Sequence, residues 1–472
     1  MMPMQKKTKI VATIGPATES AEILEKLINV GLDVMRLNFS HGDFAEHENR
    51  VNNLKIAMEK TGKTIAIMQD LSGPKIRIGE FTTERVDLVA GEEFVLTQEK
   101  ILGDKNKVWI NYETLAKEIR VGSPILLDDG KKRLEVTKIV GSDVHCKIMV
   151  GGNTKGKRGV NLPGANLSIS ALTDKDKEDI AFGLKHKVAY MAFSFVRRPS
   201  DVIELREILN AAKSDAAIIA KIETPEAVEN IDEIIRLVDG IMVARGDLSI
   251  EIPAETVPMI QKMLIKKCND AGKPVITATQ ILESMINSPV PTRAEVSDIA
   301  NAVIDGTDAV MLSEETTLGK YPVEAIEVMS RVTNEIEKTF IERNPVGKYG
   351  RSDVGEAVTR AVSKVAMNTG AKLIIALTES GSTARMVARF HPQQMIIAMT
   401  PNERTLNRLP LIYGCIPFLT PRFETLEEAV ALVRTYCLEH HMLEKGDKVV
   451  ITAGAPFNNK NTPTNMLMVE TI

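Results

Sequence analysis

Two short apolar runs rich in Ile and Val, AIIAKI at Ala217–Ile222 and GIMVA at Gly240–Ala244, are too short for helices. Such runs read as strands buried on both faces. Between them Pro225 opens a segment with apolar residues at Val228, Ile231, Ile234, Ile235 and Val238, which is helical spacing. The pattern predicts a β-α-β unit in a parallel sheet. The same rhythm begins at the amino terminus, with strands expected over 9–14, 34–39 and 64–71. A first helix between them would present Ile23, Leu24, Leu27 and Ile28 inward and be capped by Thr18 or Ser20; a second is expected over 46–61.

From residue 72 to about 170 the period falls to two. KIRIGEF, RVDLV, EEFVLTQ, KVWINY, PILLDDG, RLEVTKIV and VHCKIMV alternate apolar and polar residues, and Asp129-Gly130 is a hairpin-turn signal. This predicts an antiparallel β-domain inserted into an unfinished barrel. The β/α rhythm then resumes, with strands expected over 188–195, 217–222, 240–244, 274–279 and 307–312 and a last helix over 322–340. Three strands before the insertion and five after it make the (β/α)8 count. A polar linker is expected over 344–352. Beyond it, strands over 373–378, 395–400, 415–419, 448–452 and 467–469 alternate with helices, the signature of a smaller open α/β sheet. The fold class is therefore α/β. A barrel is expected over 1–71 and 171–343, a β-rich inserted domain able to act as a lid over 72–170 and a C-terminal α/β domain over 344–472.

The chain has 472 residues, ample for several cores, and a net charge of −4, which gives no reason to expect a nucleic-acid or membrane partner. No window approaches a transmembrane span, and residues 1–9 lack a signal peptide's apolar stretch, so a cytoplasmic protein is expected. Cys146, Cys268, Cys415 and Cys437 form no C-x-x-C pair and read as reduced structural thiols. Aromatic residues make up only 4 %, so the cores must be aliphatic.

Charge collects where the predicted strands end, which in a barrel is the catalytic mouth. Lys221 and Glu223 lie two apart after an unbroken apolar run, and alternation points both to one face. Arg245 and Asp247 follow the next strand. Two carboxylates beside a lysine suit a divalent cation and phosphate or enolate chemistry. Arg36, Asn38, Ser40 and His41 follow the second strand; Asp70, Lys75 and Arg77 the third; Thr279 and Gln280 the seventh; Ser313 and Glu315 the eighth. A lone Asp or Ser at a strand end is ordinarily a helix cap. A purely structural barrel, however, needs no charge at every exit. His440-His441 lacks ligand partners and reads as surface helix, and Lys155, Lys157 and Arg158 as a solvated turn within reach of a nucleotide if the lid closes. The turn from Thr378 to Ala384, TESGSTA, brings Thr378, Ser380, Gly381, Ser382 and Thr383 to a helix start where an anion is favoured.

The segments TKIVATIGPAT, VMRLNFSHG, DLSGPKIR, GKRGVNLPG, LTDKDKEDI, AKIET, IMVARGDL, VITATQILESM, PTRAEVSDIANAVIDGTDAVMLSEET and GKYPVEA, in this order, resemble the pyruvate kinase family. The resemblance implies phosphoryl transfer from phosphoenolpyruvate to ADP, giving ATP, and protonation of the enolate to pyruvate. It implies Glu223 and Asp247 as ligands of Mg²⁺ or Mn²⁺, and Lys221 as stabiliser of the transferring group and the enolate. Arg36 would contact the phosphate, Ala244, Arg245, Gly246 and Asp247 the carboxylate, and Thr279 would lie where the methylene carbon is protonated. Ser194, Lys75, Arg77 and Ser313 would complete the substrate site, with Arg36, Asn38, His41 and Arg158 on the nucleotide side.

Most members bind K⁺ through oxygens at the second and third exits. Here Asn38, Ser40 and Asp70 keep part of that cage, Leu71 offers no side-chain oxygen, and Lys75 stands where the K⁺-requiring pattern has glutamate. The similarity is thus to a lysine-bearing bacterial branch for which K⁺ is not required. It further implies a homotetramer and activation by a phosphorylated metabolite such as AMP or a sugar monophosphate. Ser249, Glu314 and Arg158 depart from the common pattern. Two other readings remain: a metal-dependent lyase or aldolase acting on pyruvate enolates, and a binding protein that has lost catalysis.

Overall fold

The computed structural model describes residues 6–165, 167–339, 354–457 and 462–472. The linker expected over 344–352 lies outside the described residues.

Eight parallel strands close into a barrel: Lys9–Thr13, Val34–Asn38, Ala66–Asp70, Tyr190–Phe193, Ala217–Ile222, Gly240–Ala244, Val275–Ala278 and Ala309–Leu312. Each pairs with its neighbour in the chain, and the first closes on the eighth, Lys9 opposite Ala309. The interior is packed with Val11, Val34, Met68, Ile219, Met242, Ile276 and Met311, all buried. Alternate residues face outward into two aliphatic shells under the helices, with Ile218 and Ile241 in one and Ile10 and Val310 in the other. This period of two carries the inward face of strand five from Ile219 to Lys221 and Glu223 at the mouth.

Local chemistry sets the helix starts. Ser20, not Thr18, caps the first helix, and Thr18 instead bonds the Thr316 carbonyl. Thr173 with Asp176, and Thr292 with Glu295, form capping boxes. The helix expected after Pro225 is two, Pro225–Glu229 and Ile231–Leu237, divided at Asn230. A helix not foreseen, Arg245–Glu251, starts directly from strand six.

The inserted segment forms a six-stranded sheet and a separate two-stranded ribbon, Arg85–Leu88 with Gly152–Lys155. Two expectations need correction. KIRIGEF makes only isolated bridges, because Arg77, Ile78 and Phe81 meet three different segments, at Gly159, Ile110 and Gly103. The sheet is also not wholly antiparallel: Glu93–Thr97 pairs with Lys107–Trp109 in parallel. At the hinge, the Gly73 N–H donates to buried Asp176, and Asn161 of the lid donates to Glu251 of the barrel at 2.9 Å.

The C-terminal sheet has five strands, four parallel and the last, Met466–Thr471, antiparallel at the edge. It docks under the closed end of the barrel. Leu411 enters the barrel's inner cluster, Lys9 Nζ donates to the Cys415 carbonyl at 2.7 Å, and the Tyr190 hydroxyl donates to the Arg408 carbonyl. His440 and His441 are not within a helix as expected; the helix stops at Glu439, and His440 packs on Tyr436. All four cysteines are free and buried. Among the described residues no helix is long and apolar enough to cross a membrane.

Candidate active site

Strand ends three, four and five bring Asp70, Ser194, Lys221 and Glu223 together below the mouth. Lys221 Nζ lies 2.9 Å from Glu223 Oε1 and 3.4 Å from Asp70 Oδ1, and donates to Ser194 Oγ at 2.7 Å. Burial alone would discharge this ammonium, but Asp70, Glu223 and Asp247 outweigh it and raise its pKa. Lys221 therefore stays a fixed, dehydrated positive charge, which is worth more here than in water.

Arg36 at the end of strand two is also buried. It donates through Nε to Asp70 Oδ2 at 2.6 Å and through Nη1 to Thr13 Oγ1 at 2.7 Å. Asp70 thus sits between Arg36 and Lys221. Burial pushes its pKa up, but the two cations prevail and the net shift is down. The Asp70 carboxylate thus fixes both cations, Arg36 and Lys221, beside the mouth.

Glu223 is only 1 % exposed and accepts the Phe195 N–H at 2.7 Å as well as Lys221. Burial raises its pKa despite Lys221, and the charge of Asp247 adds to the rise. Two carboxylates near enough to oppose each other's ionisation are what a divalent cation relieves. Among the described residues no three His, Cys, Asp or Glu side chains could enclose a metal by themselves. The oxygens of Glu223 and Asp247 are hard donors of a kind that would suit a divalent cation such as Mg²⁺.

Thr279, just past strand seven, has φ 70°, a left-handed conformation that costs a β-branched residue strain. The start of the helix Arg245–Glu251 holds it there. The Gly246 N–H donates to its hydroxyl at 2.8 Å, and Arg245 Nη2 donates to its carbonyl at 2.7 Å. Arg245 is itself anchored by Asp298 at 2.8 Å, so its guanidinium supports the wall rather than pointing into the mouth. Glu315, buried, accepts the backbone N–H of Ser313 and of Leu282 and so ties exits seven and eight together.

On the rim, Lys75 opens to the cleft. Partial desolvation, then Lys221 and Arg77, lower its pKa against the pull of Asp247 and Asp70. His41 is likewise lowered, by desolvation and then by Lys75, Arg77 and Arg36. These groups share one electrostatic neighbourhood. Asn38 Oδ1 accepts the Ser40 N–H, Ser40 pairs with Ser72, and Leu71 is buried in an aliphatic cluster. Arg158 is on the lid, 3.4 Å from Asp128, while Lys155 and Lys157 pair with Glu84 and Glu80. Across the molecule, the Thr378 hydroxyl accepts the Gly381 N–H, and Thr383 is buried against Thr464 at 2.9 Å. Of that turn, Ser382 is exposed.

Sequence reasoning missed Thr13, Asp176, Asp298 and the structural part of Glu315. Asp298 lies 53 residues from its partner Arg245, and nothing local marks it.

The chain matches the family model for the pyruvate kinase barrel domain over residues 5–326 and that for the pyruvate kinase alpha/beta domain over 356–470. It is 44 % identical to a pyruvate kinase of Geobacillus stearothermophilus, over 99 % of this chain and 81 % of that protein. It is also 44 % identical to pyruvate kinase 2 of a Synechocystis strain, over 100 % of this chain and 80 % of the relative. A crystal structure of a Cryptosporidium parvum pyruvate kinase superposes with TM-score 0.93 at 36 % identity, covering 99 % of this chain and 96 % of that one. With the matches spanning barrel and C-terminal sheet alike, the chain belongs to the pyruvate kinase family and is a phosphotransferase.

Proposed function

We propose that the mouth of this barrel transfers the phosphoryl group of phosphoenolpyruvate to ADP through the residues assembled around Lys221. The observation that carries the reading is the Lys221 ammonium, buried and held by Asp70, Glu223 and Ser194 at the inner end of the mouth. The bridging C–O–P bond breaks at phosphorus, its electron pair passes to the enol oxygen, and a terminal oxygen of the ADP β-phosphate bonds to the phosphorus. Little covalent work falls to the protein, because such a transition state asks for positioning and positive charge. Lys221 lies where negative charge accumulates on the phosphoryl group and on the enolate. Arg36, braced by Asp70 and Thr13, orients the phosphate. A divalent cation, Mg²⁺ or Mn²⁺, held by Glu223 and Asp247, would supply charge neutralisation between carboxylate and phosphate. The backbone of residues 244–247 receives the substrate carboxylate. Ser194, Arg77 and Ser313 line the substrate site, and Asn38, His41 and Arg158 the nucleotide side. The enolate then takes a proton at its methylene carbon, delivered by water on the Thr279 hydroxyl.

Lys75 provides the monovalent charge that K⁺ supplies elsewhere in the family, so K⁺ is not required. The turn at 378–383 takes the phosphate of an activator such as AMP or a sugar monophosphate, and the enzyme acts as a homotetramer. The barrel is divided by the lid over 72–170, with the regulatory domain from 344 onward.

Lys221→Met tests the reading. Turnover should fall by orders of magnitude, with binding of Mn²⁺ and of phosphoenolpyruvate largely kept. Near-normal turnover in that variant removes Lys221 from the mechanism.

A further inference from the structure

The seam between barrel and C-terminal domain holds a half-open cleft of about 370 Å³, counting the part that runs out to solvent. Tyr190, Ala217 and Asp239 line it from the barrel; Ser380, Arg385 and Arg408 line it from the C-terminal domain. Arg385 is partly buried, yet among the described residues its guanidinium makes no hydrogen bond or ion pair. Asp239, the carboxylate that lines the cleft among the described residues, is already engaged. It accepts Arg206 at 2.6 Å and the Ile218 N–H at 2.8 Å. Arg408 spends one nitrogen on the Asp215 carbonyl at 3.3 Å and adds a second positive charge. Nearby Lys273 is bound to carbonyl oxygens of Ile235, Arg236 and Val238 and offers no acceptor.

A guanidinium carries five N–H donors, and leaving them partly dehydrated without an acceptor is costly. Desolvation, reinforced by Arg408, lowers the Arg385 pKa although Asp239 and Tyr190 pull the other way. The missing partner has a definite chemistry. It must be an anion, it must be compact, and it must match a planar fork, which phosphate does.

We propose that this cleft binds a phosphate dianion between Arg385 and Arg408, bridging the barrel and the C-terminal domain. The site goes beyond the effector reading of residues 378–383. Thr383 faces Thr464 within the C-terminal domain, whereas Ser380 and Arg385 face the barrel. Ala217 opens strand five and Asp239 immediately precedes strand six; Lys221 and the residues up to Asp247 lie at or beyond their far ends. A ligand here therefore touches the same strands as the substrate from the opposite side.

The test is thermal unfolding of the full-length protein titrated with inorganic phosphate, and separately with a sugar monophosphate, at constant ionic strength. Phosphate binding in the catalytic mouth contributes equally to wild type and to Arg385 variants. In Arg385→Gln more than half of the phosphate-induced rise in unfolding temperature should disappear, with Arg385→Lys in between. Without phosphate, Arg385→Gln should unfold no lower than wild type, because an uncompensated cation has been removed. Arg36→Gln should lose the catalytic-mouth share and keep the seam's share. A response at lower ester than phosphate concentration identifies a phosphate monoester as the occupant; the reverse identifies free phosphate. An Arg385→Gln variant that responds like wild type overturns the proposal. So does one that is destabilised in phosphate-free buffer, since Arg385 is then structural.

Discussion

On the function proposed above, the ammonium of Lys75 takes the place of K⁺. Its charge acts on the same neighbourhood as Asp70, Asp247 and Lys221, and the side chain of Leu71, buried in an aliphatic cluster, has no oxygen to offer a cation. A glutamate in its place would repel the substrate phosphate and need a cation to cancel the repulsion. Turnover in a buffer whose only monovalent cation is tetramethylammonium should therefore be close to that measured with KCl added. Lys75→Glu should lose most activity there and recover it many-fold on adding K⁺. A wild type that gains many-fold from K⁺, beyond an ionic-strength control, contradicts this role. At the same scale, the pairing of Lys221 with Glu223 was legible because residues two apart on a strand share a face. The bracing of Arg36 by Thr13 and of Arg245 by Asp298 was not, because both depend on which distant strands and helices become neighbours.

Elements placed the site more reliably than their ends were defined. The barrel strands were legible from apolar runs bounded by charge. KIRIGEF alternates as a strand should but forms none, since no single neighbour runs alongside it. The left-handed turn at Thr279 and Gln280 left no mark in the sequence either; it exists because Arg245 and Gly246, just past strand six, supply the bonds that hold it. The turn before helix Ser382–Ala388 belongs to this scale. Ser380 and Ser382 are its exposed serines, and on the proposed effector site Ser382→Glu should abolish activation by a phosphorylated effector and leave basal turnover unchanged. Unchanged activation places the effector elsewhere.

The helix after strand two carries another consequence. His47 is buried, stacked on Phe39 at 4.2 Å, and burial followed by Arg50 lowers its pKa to about 4. The unfolded value is about 6.5, so the unfolded chain binds the extra proton first. Its contribution to stability is complete above about pH 6.5 and is lost as pH falls toward 4. Unfolding temperature between pH 7 and 5 should fall more steeply for wild type than for His47→Gln; equal slopes contradict it.

At the scale of the molecule, three packed units divide the work. The barrel holds the charges gathered around Lys221, the inserted sheet is tied to it at Gly73–Asp176 and again at Asn161–Glu251, and the C-terminal sheet packs on the far end. The barrel and the separate C-terminal sheet were legible in the sequence from the β/α rhythm and its interruption. The seam beneath the barrel was not readable, because Arg385 and Asp239 belong to different units and face one cleft only after docking. A lyase or aldolase would need neither ADP nor the cations gathered on the rim, and a binding protein would turn over nothing. Pyruvate and ATP formation from phosphoenolpyruvate, followed together with and without ADP and with and without Mg²⁺, separates the three most directly. Equal amounts of pyruvate and ATP, appearing only when ADP and Mg²⁺ are both present, are the predicted result. Pyruvate without ADP, or no product with every component supplied, would contradict the account.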